Sequence, residues 1–485
     1  MASDVTALDP SIIVIFGITG DLSKRYLLPA LYHLFKVGLL DERSVIVGIS
    51  RRDMTAAQLL DGVELCHEEP NGVCDPDVEK RLRNQTRMVQ MDLGDQQGYH
   101  HLHELLDGIE AEAGICMNRL YYLSIPPVVY EPIVGLMGQA SLQNGCQHGS
   151  AASRLLVEKP FGYDTSSAST LIDSIGAVFK EDQLFRIDHY LAKETVQNIL
   201  TFRFDNPIFE AIWDKDHIEH IEIIASEQIG IMGRAVFYEP LGALRDFIQS
   251  HLLQLLAIVT MDKPAQMDSD HIHEMKQQLL DTVRPVGQDA QGVFDALRGQ
   301  YQGYREEVDN MQSVTETFAA IRTTIDNDRW RNVPIIIWTG KGLGEKRTEI
   351  IVAFRNGLRP PNRLRFRISP SEGIEVELLA KKPGYATELE PAIMDFSYDD
   401  SFEDHRHPNA YERVLVDAIR GDHTLFATSH EVMAAWQVVQ PVLDAWQRDG
   451  GNGLIEYAQG HDGEPLARPL FKGSISNDQT TEGAS

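Results

Sequence analysis

The chain has 485 residues, long enough for two domains, and 43% of them are apolar, so a substantial core can form. Asp and Glu total 72 against 44 Lys and Arg, a formal charge of −28 that argues against nonspecific binding to nucleic acid or an anionic membrane. The opening MASDVTALDP lacks a basic region followed by an apolar stretch, and the longest apolar run, LLQLLAIVTM from Leu252, is too short to span a bilayer and reads as a buried helix.

Six short β-rich runs alternate with helical stretches over the first 190 residues: IIVIF from Ile12, SVIVGIS from Ser44, RMVQM from Arg87, RLYYLSI from Arg119, RLLVE from Arg154 and LFRID from Leu184. Strands separated by helices predict βαβ units, and so a Rossmann-like, doubly wound parallel sheet occupying residues 1–200. After the first run comes FGITGDLSKRYLLPAL, in which Gly17 and Gly20 allow a sharp turn beside a pyrophosphate. The N–H groups that follow, across Thr19, Asp21 and Leu22, can face that anion. The third glycine of G-x-G-x-x-G is absent, with Ser23 near its place, and a plain structural turn is the alternative. Pro29 suggests a first turn after Asp21 and then a fresh helix.

The second run ends in SRRD, where Arg51 and Arg52 suit the 2′-phosphate of NADP, with NAD the weaker cofactor. A solvated arginine pair is the competing reading. Asp92 and Leu93 follow the third run and are placed to approach the adenosine half. In VEKPFG, a cis bond before Pro160 would aim Lys159 into the cleft; a surface lysine before a turn is the alternative. Cys66, Cys74, Cys116 and Cys146 form no CxxC pair and no metal-ligand spacing, so reduced thiols, a cytoplasmic protein and no metal are expected.

The nonapeptide RIDHYLAKE, Arg186 to Glu194, packs a carboxylate, an imidazole, a phenol and an ammonium into six positions. Read as a strand end followed by a helix, it lets Asp188 cap the helix and sets His189 and Lys193 on one face, a dianion site at a helix N-terminus. An ordinary capped helix with a solvated face would look similar.

Beyond Phe202, HIEHIEIIASE from His217, RTEIIVAF from Arg347, RLRFRIS from Arg363 and GIEVELLA from Gly373 show partial alternation. They predict an α+β domain over residues 201–470, a mostly antiparallel sheet packed on helices such as those from Ala243 and Glu431. The polar tail over 471–485 reads as disordered. ALRDFIQSHLLQLLAIV from Ala243 carries Asp246 and His251; a lone histidine in such a setting is ordinarily a satisfied core residue.

RIDHYLAKE closely resembles the RIDHYLGKE signature of the glucose-6-phosphate dehydrogenase family, with Ala192 for the usual glycine. GITGDLSKRYLLPAL is similar to that family's GxxGDLxKRKLxPAL, with Tyr26 as a departure, and the Ala243 segment resembles IRDxxQNHLLQ, with Ser250 for Asn. The resemblance runs from Ile12 to about Asp444. It implies that His189, Tyr190 and Lys193 hold a sugar phosphate, that His251 removes the sugar hydroxyl proton with Asp188 orienting it, and that Lys159 lies between cofactor and sugar. Asp246 would orient a sugar hydroxyl; Glu227, Lys341 and Lys346 match further sugar-facing positions, while Ala235–Phe237 depart from a GRGGYY pattern.

The chemistry gives its own reason for an imidazole: a hemiacetal hydroxyl must lose its proton as hydride departs, and a pKa near ~6.5 suits that task. The implied reaction is oxidation of β-D-glucose 6-phosphate at C1 to 6-phosphoglucono-1,5-lactone with hydride passed to NADP⁺, the entry step of the oxidative pentose phosphate pathway, in a homodimer or homotetramer. The alternatives are oxidation of another aldose or sugar phosphate, and a non-catalytic NADPH sensor, for which both Asp188 and His251 would be superfluous.

Overall fold

The computed structural model describes residues 7–67, 69, 71–146, 149, 151–287, 295–355, 357, 361–402 and 408–471. The tail expected to be disordered, from Lys472 onward, lies outside them.

Apolar β-branched runs form β1 (Ser11–Phe16), β2 (Val45–Ser50), β3 (Thr86–Gln90), β4 (Asn118–Leu123), β5 (Ser153–Val157) and β6 (Leu184–Ile187). All six pair in parallel in the order β6-β5-β4-β1-β2-β3, the doubly wound arrangement expected from the sequence. A two-residue strand far along the chain, Phe426–Ala427, adds itself antiparallel to β6, pairing Phe426 with Ile187 and Ala427 with Arg186. The chain order reverses between β1 and β4, so the crevice of this sheet opens at their carboxyl ends.

The second sheet is built from β7 (Ile218–Ser226), β8 (Ala296–Tyr301), β9 (Phe318–Thr323), β10 (Ile335–Gly340), β11 (Arg347–Phe354), β12 (Arg363–Ser369), β13 (Gly373–Lys381) and β14 (Leu389–Ser397). With the Phe426–Ala427 strand numbered β15, β16 (Leu454–Tyr457) completes it in the order β14-β13-β12-β11-β7-β10-β9-β8-β16. Its pairings are antiparallel except β7 with β10 and β8 with β16.

Helices join the two sheets. α1 (Leu28–Lys36) follows a short π-helical stretch, Ser23–Leu27, so the helix expected to break at Pro29 instead runs on from Asp21, with Pro29 near the start of its α-helical part. α2 (Glu194–Phe204) carries Lys193 at its N-cap. This corrects the expectation that Asp188 caps that helix: residues 188–193 form a turn ahead of it, so His189 and Lys193 share no helical face. α3 (Leu253–Thr260) is buried along its whole length and is preceded by π-helical winding over Leu244–Leu252. α4 (Ala410–Arg420) and α5 (Ser429–Asp449) follow, the latter opened by a Thr428–Glu431 capping box.

The cysteines also require a correction. Cys66 is disulfide-bonded to Cys74 and Cys116 to Cys146, so the chain folds its thiols into pairs that its spacing did not suggest. Among the described residues no helix is long and apolar enough to cross a membrane.

Candidate active site

Strand register fixes what meets at the crevice. Phe16 lies opposite Ile49 and Leu123, Leu123 opposite Val157, and Val157 opposite Arg186. The residues just past those strand ends, Gly17, Arg51, Ser124, Glu158–Lys159 and Asp188, therefore line one edge.

At the glycine turn, Gly17 adopts φ +78°, and a Cβ there would stand 2.4 Å from the Ser124 carbonyl oxygen. Only glycine lets β1 pass so close to the end of β4. Gly20 N–H donates to the Gly17 carbonyl at 2.8 Å, while Ser23, buried where a third glycine was sought, donates through its hydroxyl to Ser124 Oγ at 2.8 Å. Thr19 and Leu22 are half-buried, and exposed Asp21 pairs with Arg25 at 2.9 Å. Arg51 and Arg52 both stand in solvent at the end of β2. Asp92 accepts from the Gly94 N–H at 2.8 Å, and the Leu93 carbonyl accepts from Tyr99, so both shape the turn after β3.

Across the crevice, π-helical winding brings Asp246 and His251, five residues apart, onto one side. His251 Nδ1 lies 2.8 Å from Asp188 Oδ1, which also accepts from the Tyr190 N–H at 2.9 Å. Both members of this pair are 3% exposed. Burial holds the His251 ring below its ordinary pKa, with Lys159 adding to that effect and Asp188 opposing it. For Asp188 burial works against ionisation, yet His251 and the Tyr190 N–H prevail and keep its carboxyl below the usual range. The pair is thus a neutral imidazole beside a carboxylate, with Nε2 left to accept a proton.

Lys159, before a cis Pro160, donates through Nζ to both the carbonyl and Oδ1 of Asp246 at 2.8 Å. Lys341 is 3% exposed, ion-paired with Glu227 and 3.9 Å from Asp246 Oδ2. Both ammonium groups lie 5.3 Å from the centre of the Phe247 ring. Against the burial that disfavours its charge, Asp246 keeps a lowered pKa because of these two lysines. A carboxylate flanked by two cations and an imidazole is a polar floor on which hydroxyl groups can be oriented.

The RIDHYLAKE turn places Tyr190 beside the pair, its ring 4.6 Å from that of His251 between centroids. Burial raises the Tyr190 pKa, so its hydroxyl stays protonated and able to donate. His189 lies 3.8 Å from Glu158 and packs 4.5 Å from the Tyr411 ring. Lys193 reaches Glu372 at 3.4 Å with its side chain 41% exposed; the same carboxylate accepts from the Thr195 N–H at 2.9 Å. Lys346 stands exposed ahead of β11.

Sequence reasoning passed over Glu158, Tyr411 and Glu372. Glu158 is buried, accepts from Tyr122 at 2.5 Å and adjoins Lys159, so the strand-end motif contained a signal for it. Tyr411, on α4, stacks on Tyr26 at 4.9 Å, and no local motif announces that contact.

A doubly wound sheet with a glycine turn at its switch point, facing a buried helical segment whose histidine meets a carboxylate from the end of that sheet, defines a nucleotide-binding oxidoreductase. Residues 14–198 match the family model for the glucose-6-phosphate dehydrogenase NAD binding domain, and residues 200–476 match that for the glucose-6-phosphate dehydrogenase C-terminal domain. The chain is 37% identical over 488 residues to glucose-6-phosphate 1-dehydrogenase of Mycolicibacterium smegmatis, covering 96% of each protein. With the enzyme of that name from Gluconobacter oxydans it shares 38% identity over 488 residues, again 96% of each. A solved glucose-6-phosphate dehydrogenase in complex with its substrate glucose 6-phosphate superimposes with a TM-score of 0.88 at 31% identity, over 98% of this chain and 100% of that one. The glucose-6-phosphate 1-dehydrogenase of Mycobacterium avium gives 0.81 at 33% identity, over 97% and 99%. The chain belongs to the glucose-6-phosphate dehydrogenase family.

Proposed function

We propose that the protein oxidises β-D-glucose 6-phosphate at C1 to 6-phosphoglucono-1,5-lactone, using NADP⁺ in preference to NAD⁺. The observation that carries this is the buried His251–Asp188 pair at 2.8 Å, seated beside Tyr190 and the Lys159–Asp246 contact. His251 Nε2 takes the C1 hydroxyl proton as the C1–H bond breaks and its electron pair leaves as hydride; Asp188 keeps the other ring nitrogen protonated and balances the imidazolium that forms. Asp246, with Lys341 and Glu227 behind it, orients sugar hydroxyls. His189, Tyr190 and Lys193 receive the phosphate, to which an imidazole, a neutral phenol and an ammonium can all donate.

NADP⁺ supplies the hydride acceptor. Its residues fit that role: Gly17 and Gly20 keep the turn at the switch point clear of side chains so that the backbone of Thr19, Asp21 and Leu22 can approach a pyrophosphate, and the exposed Arg51 and Arg52 suit a 2′-phosphate. Asp92 and Leu93 would flank the adenosine, and Lys159 would stand between cofactor and sugar. On this reading residues 1–200 hold the nucleotide and 201–470 the sugar.

Assembly as a homodimer or homotetramer is supported by β14, a nine-residue edge strand with Leu389, Ile393 and Met394 exposed. The cytoplasmic expectation is weighed against by the two disulfides, and thiol titration of the unfolded protein checks it. Steady-state rates with glucose 6-phosphate, glucose, NADP⁺ and NAD⁺ test the whole assignment. The phosphorylated sugar with NADP⁺ should give the highest kcat/KM, and a faster reaction with glucose would overturn it.

A further inference from the structure

Against His251 lies a small cavity walled by Asp188, Ser250, Gln254, Lys159, Ile187 and Val432. It offers ≈ 10 Å³ to the centre of a water molecule, which is room for one. Two of its wall residues carry buried acceptors with nothing to accept from: Asp188 Oδ2 and Gln254 Oε1 have no hydrogen-bond partner among the described residues, in residues 3% and 2% exposed. An unpaired carboxylate oxygen in such a place costs on the order of several kcal/mol, and native proteins rarely leave one so. Two acceptors cannot satisfy each other; each needs a donor, and a water has two to give.

We infer that one buried water occupies this cavity, donating to Asp188 Oδ2 and Gln254 Oε1, and that Gln254 is thereby a positioning residue for the His251–Asp188 pair. The inference rests on the function proposed above for that pair. Asp188 Oδ1 is already committed to His251 and to the Tyr190 N–H, so the second oxygen decides how strongly the carboxylate pulls on the imidazole. A water donating to Oδ2 spreads the negative charge and moderates that pull. It also fixes the plane of the carboxylate, and through it the direction in which His251 Nε2 points.

Local sequence accounts for the cavity. Ser250 is short, and its hydroxyl turns back to donate to the Asp246 carbonyl at 2.6 Å, leaving room that a longer side chain would fill. Gln254 comes four residues later, where the winding has returned to an ordinary α-helix, so both side chains reach the same side. The charged and titratable groups that face His251 are Asp188 just past β6, Lys159 just past β5, Asp246 from its own helix and Tyr190 from the turn that follows Asp188. None of these changes identity when Gln254 does.

Gln254→Leu keeps the size of the side chain and removes its acceptor, so the water loses half of its donors' targets and is expelled. Asp188 Oδ2, stripped of its donor, then stabilises the imidazolium more strongly. The acid limb of the kcat/KM profile for glucose 6-phosphate should move upward by about 0.5–1 pH unit relative to the unmodified enzyme, with KM at high pH unchanged. Superimposable limbs would overturn the inference, as would a variant whose kcat drops evenly at every pH. A second measurement does not depend on the variant folding: a high-resolution crystal structure of the unmodified protein should show one ordered water within hydrogen-bond distance of Asp188 Oδ2 and Gln254 Oε1, and an empty cavity would overturn it. If the unmodified enzyme does not oxidise glucose 6-phosphate at all, it is the functional assignment that falls, whatever the cavity holds.

Discussion

The His251–Asp188 pair and the cations around the crevice differ in how much water they touch. Both members of the pair are 3% exposed and linked at 2.8 Å, whereas the Lys193 side chain is 41% exposed and Arg51, Arg52 and Lys346 stand in solvent. On the proposed function, the groups that would move a proton are dehydrated and aligned before any ligand arrives, so no reorganisation is needed at the moment of reaction. The exposed cations proposed to recognise anionic ligands keep their hydration and would gain strength when a ligand excludes water from around them. Lys159 and Lys341 lie between the two kinds: each is held against Asp246 and the Phe247 ring, with side chains 20% and 4% exposed.

Substitutions should separate these two classes by which kinetic constant they change. The largest effect is expected from His251→Asn, which should lower kcat by a factor of about 10²–10⁴ or more while leaving KM for glucose 6-phosphate nearly unchanged. Titrating substrate binding alongside turnover checks this; a loss confined to KM would move His251 into the recognition class. Asp188→Asn should come next, again in kcat, because an amide can stabilise the wrong imidazole tautomer and cannot balance imidazolium charge. Steady-state assays of that variant should show kcat reduced at constant KM.

Recognition residues should do the opposite. Lys193→Ala should weaken binding of glucose 6-phosphate by about 1.5–3 kcal/mol, read as KM, and leave the KM for free glucose almost unaltered. Equal losses on both sugars would show that Lys193 acts through Glu372 and the start of α2 instead of through the phosphate. The smallest and most selective change is expected from neutralising Arg51 and Arg52 together. KM for NADP⁺ should rise and that for NAD⁺ should barely move, because both side chains are solvent-exposed and their loss leaves the fold intact.

The same contrast explains what could be read from the chain beforehand. All six strands of the parallel sheet were legible because each is a short apolar run bounded by helical sequence. In the second sheet β7, β11, β12 and β13 showed partial alternation, but β8, β9, β10, β14 and β16 were missed. IIIWTG is buried throughout, so it carries no period of two to find. The two-residue β15 has no signature of its own and exists only because β6 offers it an edge. At the site, Asp188, His251, Lys159 and Asp246 were named from motifs, and the structure brings them together. The helix start was misplaced because Asp188 spends its oxygen on the Tyr190 N–H and His251, leaving Lys193 at the N-cap. Disulfide pairing escaped the sequence for a geometric reason: Cα separations of 5.3 and 5.6 Å arise from loop paths that spacing does not encode.

The dehydrated pair is the centre of this account, and the pH dependence of kcat/KM tests it most directly. Burial lowers the pKa of His251, so the ring should remain a competent base from neutral pH down past the ordinary histidine value of about 6.5, and activity should fall only as pH drops below it. Because the phosphate of the sugar titrates near pH ~6 as well, the profile should be recorded with glucose 6-phosphate and with free glucose, and the limb common to both assigned to the enzyme. A shared acid limb below about 6.5 that disappears from the residual activity of His251→Asn is the result predicted here. A limb lying above that value, or one that survives intact in His251→Asn, would contradict it.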